Sequence, residues 1–104
     1  MGWIAAVPAD ELSVGESKQV VTDTGHKLAL FHLEDGYFAI DDTCSHAEAS
    51  LTEGKVVGNH VKCALHGAEF DIRDGAVKSF PAVIGVGSYE TKVEDNTVFI
   101  NYEE

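Results

Sequence analysis

The stretch CSHAEASLTEGKVVGNHVKCALH, residues 44 to 66, decides how this chain is organised. It holds both cysteines of the 104-residue chain and two of its five histidines. Cys44 and His46 form a CxH pair, Cys63 and His66 form a CxxH pair, and sixteen residues separate the two pairs. A thiolate is a soft anionic metal ligand and a neutral imidazole is a nitrogen ligand. Two such pairs, one on each of two loops, indicate a metal centre.

Three other interpretations of these residues stay open on spacing alone. A disulfide between Cys44 and Cys63 would leave the histidine spacing unexplained, and the chain has no secretory features. A structural Cys2His2 zinc site usually pairs cysteine with cysteine and histidine with histidine, at wider spacings. The four residues could also be unrelated core or surface positions. The double pairing favours a metal centre over the disulfide and over unrelated residues, and its spacing does not match the usual zinc site.

At these residues the chain resembles a Rieske iron-sulfur protein, whose pattern is CxH, a spacer of this length, and CxxHG. The resemblance continues through CSHAEASLTEG and CALHGAEFDIRDG and runs weakly over most of the chain. Within the family, the chain is most similar to the small ferredoxins of bacterial multicomponent ring-hydroxylating dioxygenases. Two cysteines hold one iron of a [2Fe-2S] cluster in this family, and two histidines hold the other. The resemblance therefore implies that Cys44 and Cys63 bind the inner iron, and that His46 and His66 bind the outer iron.

Residues that shield such a cluster also follow from the resemblance. Pro81 matches a proline-containing loop that covers the cluster in this family. Leu65, with Ala64 and Ala47, is a candidate for an apolar collar, although simple loop packing would explain the alanines equally well. Gly67 follows the second histidine, where a side chain would crowd the metal.

The reduction potential can be placed by comparison with high-potential relatives. Those proteins carry an extra cysteine in each ligand loop, and the two form a disulfide; the matching positions here are Ala49 and Leu65. They also carry serine and tyrosine hydroxyls that donate towards sulfur, where this chain has Ala68 and Phe70. With fewer donors, the added electron is stabilised less. We expect a potential near the bottom of the Rieske range of roughly −150 to +300 mV.

The composition restricts the partners. Eighteen acidic against seven basic residues give a formal charge of −11, which argues against nucleic acid or an anionic membrane as a partner. An acidic surface favours basic docking patches, although solubility alone would also explain it. No stretch approaches 18 consecutive apolar residues, and no basic region precedes an apolar run at the start. We therefore expect a cytoplasmic protein, and we also expect it to be a monomer.

The pattern along the chain predicts an all-β antiparallel domain. No window has sustained helical periodicity, and short alternating segments recur between turns. A loop with at most one helical turn is expected over residues 9–15, and one further turn over AEASL, residues 47–51. Strands are expected over residues 3–7, 17–22, 27–33, 37–40, 55–57, 60–63, 69–72, 76–78, 88–93 and 97–102.

The family fold implies two parts within one domain. Residues 1–40 and 83–104 would form an antiparallel β-sandwich base, and residues 41–82 a smaller cluster-binding subdomain. Outside the ligand set, we expect Arg73 to pair with Asp71 or Asp74, or else to contact a partner protein. The three remaining histidines are expected to be surface residues or hydrogen bonded to neighbours; they are His26, His32 and His60.

The resemblance implies an electron carrier, not a catalyst. It would take single electrons from a flavin-dependent, NAD(P)H-oxidising reductase and pass them to a terminal oxygenase. A chain of 104 residues has no room for a second domain holding mononuclear iron. Two other classes remain as alternatives: a small Rieske-like subunit of another redox complex, such as nitrite reductase, and a structural zinc module.

Overall fold

The computed structural model describes residues 2–42, 50–63, 69–79 and 86–102, with only the backbone for residues 77–79. Within these ranges the chain forms short strands and two 3-10 turns, Ala9–Glu11 and Leu51–Glu53. The strands are β1 Trp3–Pro8, β2 Ser17–Val21, β3 Lys27–Leu33, β4 Gly36–Asp41, β5 Lys55–Val57, β6 His60–Lys62, β7 Glu69–Asp71, β8 Val77–Ser79, β9 Ser88–Tyr89, β10 Thr91–Glu94 and β11 Thr97–Asn101.

The strands assemble into three antiparallel sheets. Their orders are β1-β11-β10, β2-β3-β4-β9 and β5-β6-β7-β8. This arrangement confirms the predicted all-β antiparallel fold. In the described ranges, no helix has the length and apolar character needed to cross a bilayer.

Strand β3 explains how three sheets share one small domain. Its residues Leu28 to Phe31 are fully buried on both faces of the strand. Because successive side chains point to opposite faces, Leu28 and Leu30 enter one core while Ala29 and Phe31 enter another. The sheet that contains β3 is therefore the middle layer, with one core on each side.

Each core joins the middle layer to a different outer sheet. On one side Val7, Val98 and Ile100 from the β1-β11-β10 sheet pack against Leu28 and Leu30. A second core, which we call the ligand-side core, contains Cys63 and joins the middle layer to the β5-β6-β7-β8 sheet. Its buried members are Ala29, Phe31, Leu33, Ile40, Leu51, Val61, Cys63, Phe70 and Ile72.

One predicted strand is wrong in its extent. Residues 88–93 do not form a continuous strand, because β9 pairs with β4 in the middle sheet and β10 pairs with β11 in an outer sheet. The chain changes sheets at Glu90, whose carbonyl accepts a hydrogen bond from the Asn101 N–H at 2.8 Å. In the sequence, aromatic or β-branched residues at positions 89, 91 and 93 still alternate with polar ones, so the sequence pattern does not reveal this change of partner.

The remaining predicted strands agree with the structure to within one residue at each end. The predicted loop over residues 9–15 does contain a single 3-10 turn, Ala9–Glu11. The turn expected over residues 47–51 falls mostly outside the described residues, where a 3-10 turn instead begins at Leu51.

Candidate metal centre

Of the four predicted ligands, the structure describes Cys63. Cys44, His46 and His66 lie outside the described residues, as do the predicted shielding residues Leu65, Gly67 and Pro81 and the collar alanines Ala47 and Ala64. Within residues 2–42, 50–63, 69–79 and 86–102, no group of three or more His, Cys, Asp or Glu side chains could hold a metal ion.

Cys63 has the environment that a buried thiolate ligand needs. It follows β6 directly, is 2% exposed, and is a free cysteine in the described structure. Its neighbours in the ligand-side core include Leu51, Val61 and Phe70. Cys63 is therefore buried among apolar side chains, and this fits a sulfur ligand of an inner iron that is shielded from water.

Asp42 and Ser50 fix the two ends of the segment that carries Cys44 and His46. The Ser50 hydroxyl donates to Asp42 Oδ2 at 2.6 Å. The Leu51 N–H donates to the Asp42 carbonyl at 2.6 Å, and the Thr52 N–H donates to Asp42 Oδ1 at 2.9 Å. The chain thus leaves the middle sheet at Asp42 and returns to the same point at Ser50.

The segment that carries His66 begins and ends on paired strands. Lys62 of β6 is opposite Glu69 of β7 in an antiparallel ladder, so residues 63–68 connect two adjacent strands. Leu51, just after the first segment, and Cys63, at the start of the second, belong to the same core. The first segment therefore ends, and the second begins, at one packed region.

A polar network surrounds Asp41, one residue before Asp42. Its carboxylate accepts hydrogen bonds from the Tyr89 hydroxyl at 2.6 Å, His26 Nε2 at 2.8 Å and the Gly87 N–H at 2.9 Å. Partial burial favours the neutral acid, but these donors outweigh it and hold the pKa of Asp41 below its ordinary value. Burial and the neighbouring Asp41 carboxylate raise the pKa of Tyr89 well above its ordinary value.

Sequence reasoning assigned no role to Asp41 or Asp42. The only sign of these roles in the sequence is that two acidic residues follow each other at the end of an apolar strand. That pattern does not distinguish a hydrogen-bonded carboxylate from an exposed one. The structure shows that Asp42 is 1% exposed whereas Asp41 is half-buried.

The prediction that Arg73 pairs with Asp71 or Asp74 is wrong. Its guanidinium pairs with Asp35 and lies 5.7 Å from the centre of the Phe38 ring, and it is the Arg73 backbone N–H that donates to Asp71. Asp35 is 38 positions away, in the turn between β3 and β4, so spacing along the chain favours the nearer carboxylates.

The three histidines outside the motif have the expected ordinary partners. His26 contacts Asp41, His32 Nδ1 lies 2.7 Å from the Leu12 carbonyl oxygen, and His60 Nδ1 lies 3.5 Å from Glu69 Oε1.

Comparison with known proteins gives consistent matches. A family model described as the Rieske [2Fe-2S] domain matches residues 2–90. The ferredoxin component of the p-cumate 2,3-dioxygenase system from Pseudomonas putida is 38% identical over 93 residues, covering 88% of this chain and 79% of that protein. The biphenyl dioxygenase ferredoxin subunit from Pseudomonas sp. (strain KKS102) is 36% identical over 103 residues, covering 98% and 94%.

A solved structure agrees with these relatives. It is the complex of reduced oxygenase and oxidized ferredoxin in carbazole 1,9a-dioxygenase, in which one chain matches with a TM-score of 0.90 and 30% identity, covering 94% of this chain and 91% of that chain. The similarities confirm the predicted fold and a single [2Fe-2S] cluster of the Rieske type as the cofactor. They also confirm the prediction of an electron carrier that is not itself a catalyst.

Proposed function

Because the chain belongs to the Rieske [2Fe-2S] domain family, we propose that Cys44 and Cys63 hold the inner iron of its cluster and that His46 and His66 hold the outer iron. The single observation that carries this assignment is the buried free thiol of Cys63, at the start of the second ligand segment. When bound, the cluster accepts and donates one electron at a time. Two neutral imidazoles in place of two thiolates make the oxidised centre less negative and raise its potential above that of a four-cysteine site.

The protein would tune this centre mainly by excluding water from its cysteine side. Phe70 and Leu51 pack in the same core as Cys63 and bring no hydroxyl to the sulfur. Leu65, Gly67 and Pro81 would continue this apolar cover over the cluster. Such surroundings support a potential near the low end of the Rieske range.

The division of the domain follows from the same assignment. Residues 41–82 would form the cluster-binding subdomain, and residues 1–40 and 83–104 the base. The positions of the strands support this division, because β5 to β8 all fall within residues 41–82 and the other strands fall almost entirely outside them.

The physiological role would be to link two proteins. The chain would accept electrons from a flavin-dependent NAD(P)H-oxidising reductase and deliver them to a terminal aromatic ring-hydroxylating oxygenase. Its relatives are named as components of dioxygenase systems, which supports this role over that of a nitrite reductase subunit. Its charge of −11 suits basic docking patches rather than nucleic acid or anionic membrane. We expect it to act as a cytoplasmic monomer.

The ligand assignment is tested by replacing Cys63. Protein purified without oxygen should be red-brown, contain two irons and two inorganic sulfides per chain, and give a reduced-state electron paramagnetic resonance (EPR) spectrum of a centre with mixed sulfur and nitrogen ligands. Cys63→Ser should contain almost no cluster. Ile72→Val alters the same buried core without removing a ligand; it should keep the cluster and lose only about 1 kcal/mol of stability.

Two results would contradict the proposal. A colourless protein that contains zinc would identify the structural zinc module instead. A Cys63→Ser variant with a full [2Fe-2S] content would remove Cys63 from the ligand set.

A further inference from the structure

Asp42 is a buried carboxylate to which the electron-transfer role assigns no task. It is 1% exposed and lies between the end of β4 and the segment that carries the first two predicted ligands. In the described part of the chain, no lysine or arginine forms an ion pair with it. Removing an unpaired carboxylate from water is costly, so its retention here requires strong hydrogen bonding.

Three donors converge on the Asp42 carboxylate. The Ser50 hydroxyl at 2.6 Å and Gln19 Nε2 at 2.5 Å both donate to Oδ2, and the Thr52 N–H donates to Oδ1 at 2.9 Å. Hydrogen bonds to an ionised acceptor are about twice as strong as those between neutral groups. Asp42 therefore holds together β2, the end of β4 and the 3-10 turn that begins at Leu51.

The main chain of Asp42 adds to this anchoring. Its N–H donates to the Lys27 carbonyl at 3.1 Å, and its carbonyl accepts from the Leu51 N–H at 2.6 Å. One residue thus fixes the start of the seven-residue segment 43–49 and, through Ser50, Leu51 and Thr52, also fixes its end. A loop held at both ends samples fewer conformations, so less entropy is lost when its side chains are brought to a metal.

From this geometry we propose that Asp42 is a positioning residue, which sets the approach of Cys44 and His46 to the cluster. The inference rests on the proposed ligand assignment. Asp42 is not one of the four proposed ligands. It acts through the two ends of the ligand segment, as residues that orient metal ligands do in other metal sites.

A graded series of variants tests this role. Asp42→Ala removes the carboxylate and, with it, the three hydrogen bonds that the carboxylate accepts. In Asp42→Asn the amide oxygen can still accept from the Thr52 N–H. The Ser50 hydroxyl and the Gln19 amide can rotate so that each accepts a hydrogen bond from the new NH2 group. This variant therefore keeps the hydrogen bonds and removes only the charge. Ser50→Ala removes one donor from the segment's end. Asp23→Asn, at an exposed position in the turn before β3, is the matched control for the loss of one charge.

The readout is the rate at which an iron chelator bleaches the visible absorbance of the oxidised protein. We expect Asp42→Ala to lose iron on the order of 10- to 100-fold faster than the wild type. Asp42→Asn and Ser50→Ala should fall between these rates, and Asp23→Asn should match the wild type. The EPR g-values of reduced Asp42→Ala should also shift, because His46, a proposed ligand of the outer iron, is repositioned.

Far-UV circular dichroism, recorded at the temperature of the chelation assay, separates positioning from general stability. The proposal is wrong if Asp42→Ala bleaches at the wild-type rate, or if its bleaching only follows the loss of β-sheet signal. Should Asp42→Ala fail to fold, wild-type rates and g-values in both Asp42→Asn and Ser50→Ala would overturn the proposal. Absence of a [2Fe-2S] cluster from the wild type would instead contradict the proposed function, and it is seen before any variant is made.

Discussion

Neighbouring residues at the end of β4 act on opposite sides of the middle sheet. The Asp41 carboxylate contacts His26, Gly87 and Tyr89. The Asp42 carboxylate contacts Ser50 and Thr52, which follow the first ligand segment. This separation follows from strand geometry, in which successive side chains point to opposite faces. One short acidic pair therefore fixes two different connections, and the sequence shows only that the residues are acidic.

Substitution of Tyr89 should make the stability of the domain depend differently on pH. The low folded-state pKa of Asp41 gives stability that is present above the ordinary carboxyl pKa, near 4, and lost as pH falls through the folded value. The raised pKa of Tyr89 gives stability that is present below the ordinary phenol pKa, near 10, and lost as pH rises towards the folded value. Tyr89→Phe should thus cost about 1 kcal/mol at neutral pH, and less below pH 4 or above pH 10.

The measurement is the difference in Tm between the wild type and Tyr89→Phe from pH 3 to 11, at one scan rate. A cost of about 1 kcal/mol corresponds to roughly 4–8 °C in a domain of this size. Tyr102→Phe keeps the ring stacked on His26 at 5.1 Å and leaves the Asp41 hydrogen bonds in place, so it should change Tm little. A constant difference between wild type and Tyr89→Phe across the whole range would show that the Asp41 pair does not titrate as described.

Phe70 provides a second residue-scale prediction, for the reduction potential. It is fully buried in the same core as Cys63, at a position where high-potential relatives are expected to carry a tyrosine. A hydroxyl that donates to sulfur would stabilise the reduced, more negative cluster. Phe70→Tyr should therefore raise the potential by about 20–60 mV, which is the one-electron equivalent of a hydrogen bond of typical net strength.

An EPR-monitored redox titration measures this shift directly. Phe99→Tyr, on β11 in the outer sheet remote from Cys63, is the matched control and should leave the potential unchanged. An unchanged or lower potential in Phe70→Tyr would show that the hydroxyl does not reach the sulfur, and it would remove one of the arguments for placing this centre low in the Rieske range.

At the scale of secondary structure, local patterns predicted most strands but not their partners. The run from Lys27 to Leu33 was predicted as a strand with its observed bounds, because its apolar residues and the turn after it are local signals. The change of sheet at Glu90 was missed, since pairing with β4 or with β11 depends on residues about 10 to 50 positions away. Cys63 was predicted as a ligand from spacing, whereas the acceptor role of Asp42 depends on folded contacts with Gln19 and Ser50.

Gly54 links the first ligand segment to the β5-β6 hairpin through close packing. Its backbone φ of −81° is open to any residue, but a Cβ would lie 2.2 Å from the carbonyl oxygen of Lys62. Lys62 immediately precedes Cys63, so the displaced backbone would carry the ligand with it. We expect Gly54→Ala to cost about 1–3 kcal/mol through this overlap and to alter the EPR spectrum of the reduced cluster.

Gly58, in the turn of the same hairpin, provides the comparison. A Cβ there meets nothing within 4 Å, but φ is +60°. Gly58→Ala should cost about 1 kcal/mol for the left-handed conformation and leave the EPR spectrum as in the wild type. Thermal unfolding and EPR of both variants distinguish the two effects. If Gly54→Ala lowers Tm without altering the spectrum, the Lys62 backbone is not coupled to the metal site.

For the molecule as a whole, negative charge is distributed unevenly. Residues 41–82 contain seven acidic and four basic residues, whereas the rest of the chain contains eleven acidic and three basic residues. Long-range attraction therefore brings a positively charged partner to the protein from any direction. This attraction is stronger towards residues 1–40 and 83–104 than towards the proposed cluster-binding part. Productive docking beside the cluster must then depend on local contacts in addition to net charge.

Electron transfer to a basic acceptor such as cytochrome c tests this balance. Raising the ionic strength from about 0.01 to 0.15 M shortens the screening length from roughly 30 to 8 Å, so the second-order rate constant should fall by on the order of tenfold.

Glu53→Lys and Glu11→Lys change the net charge equally at exposed positions. Glu53 ends the 3-10 turn after the first ligand segment, whereas Glu11 ends the turn that follows β1 in the base. Glu53→Lys should therefore slow transfer several-fold more at low salt. Equal rates in the two variants would mean that net charge alone governs the encounter and that the acceptor does not dock beside the ligand segments.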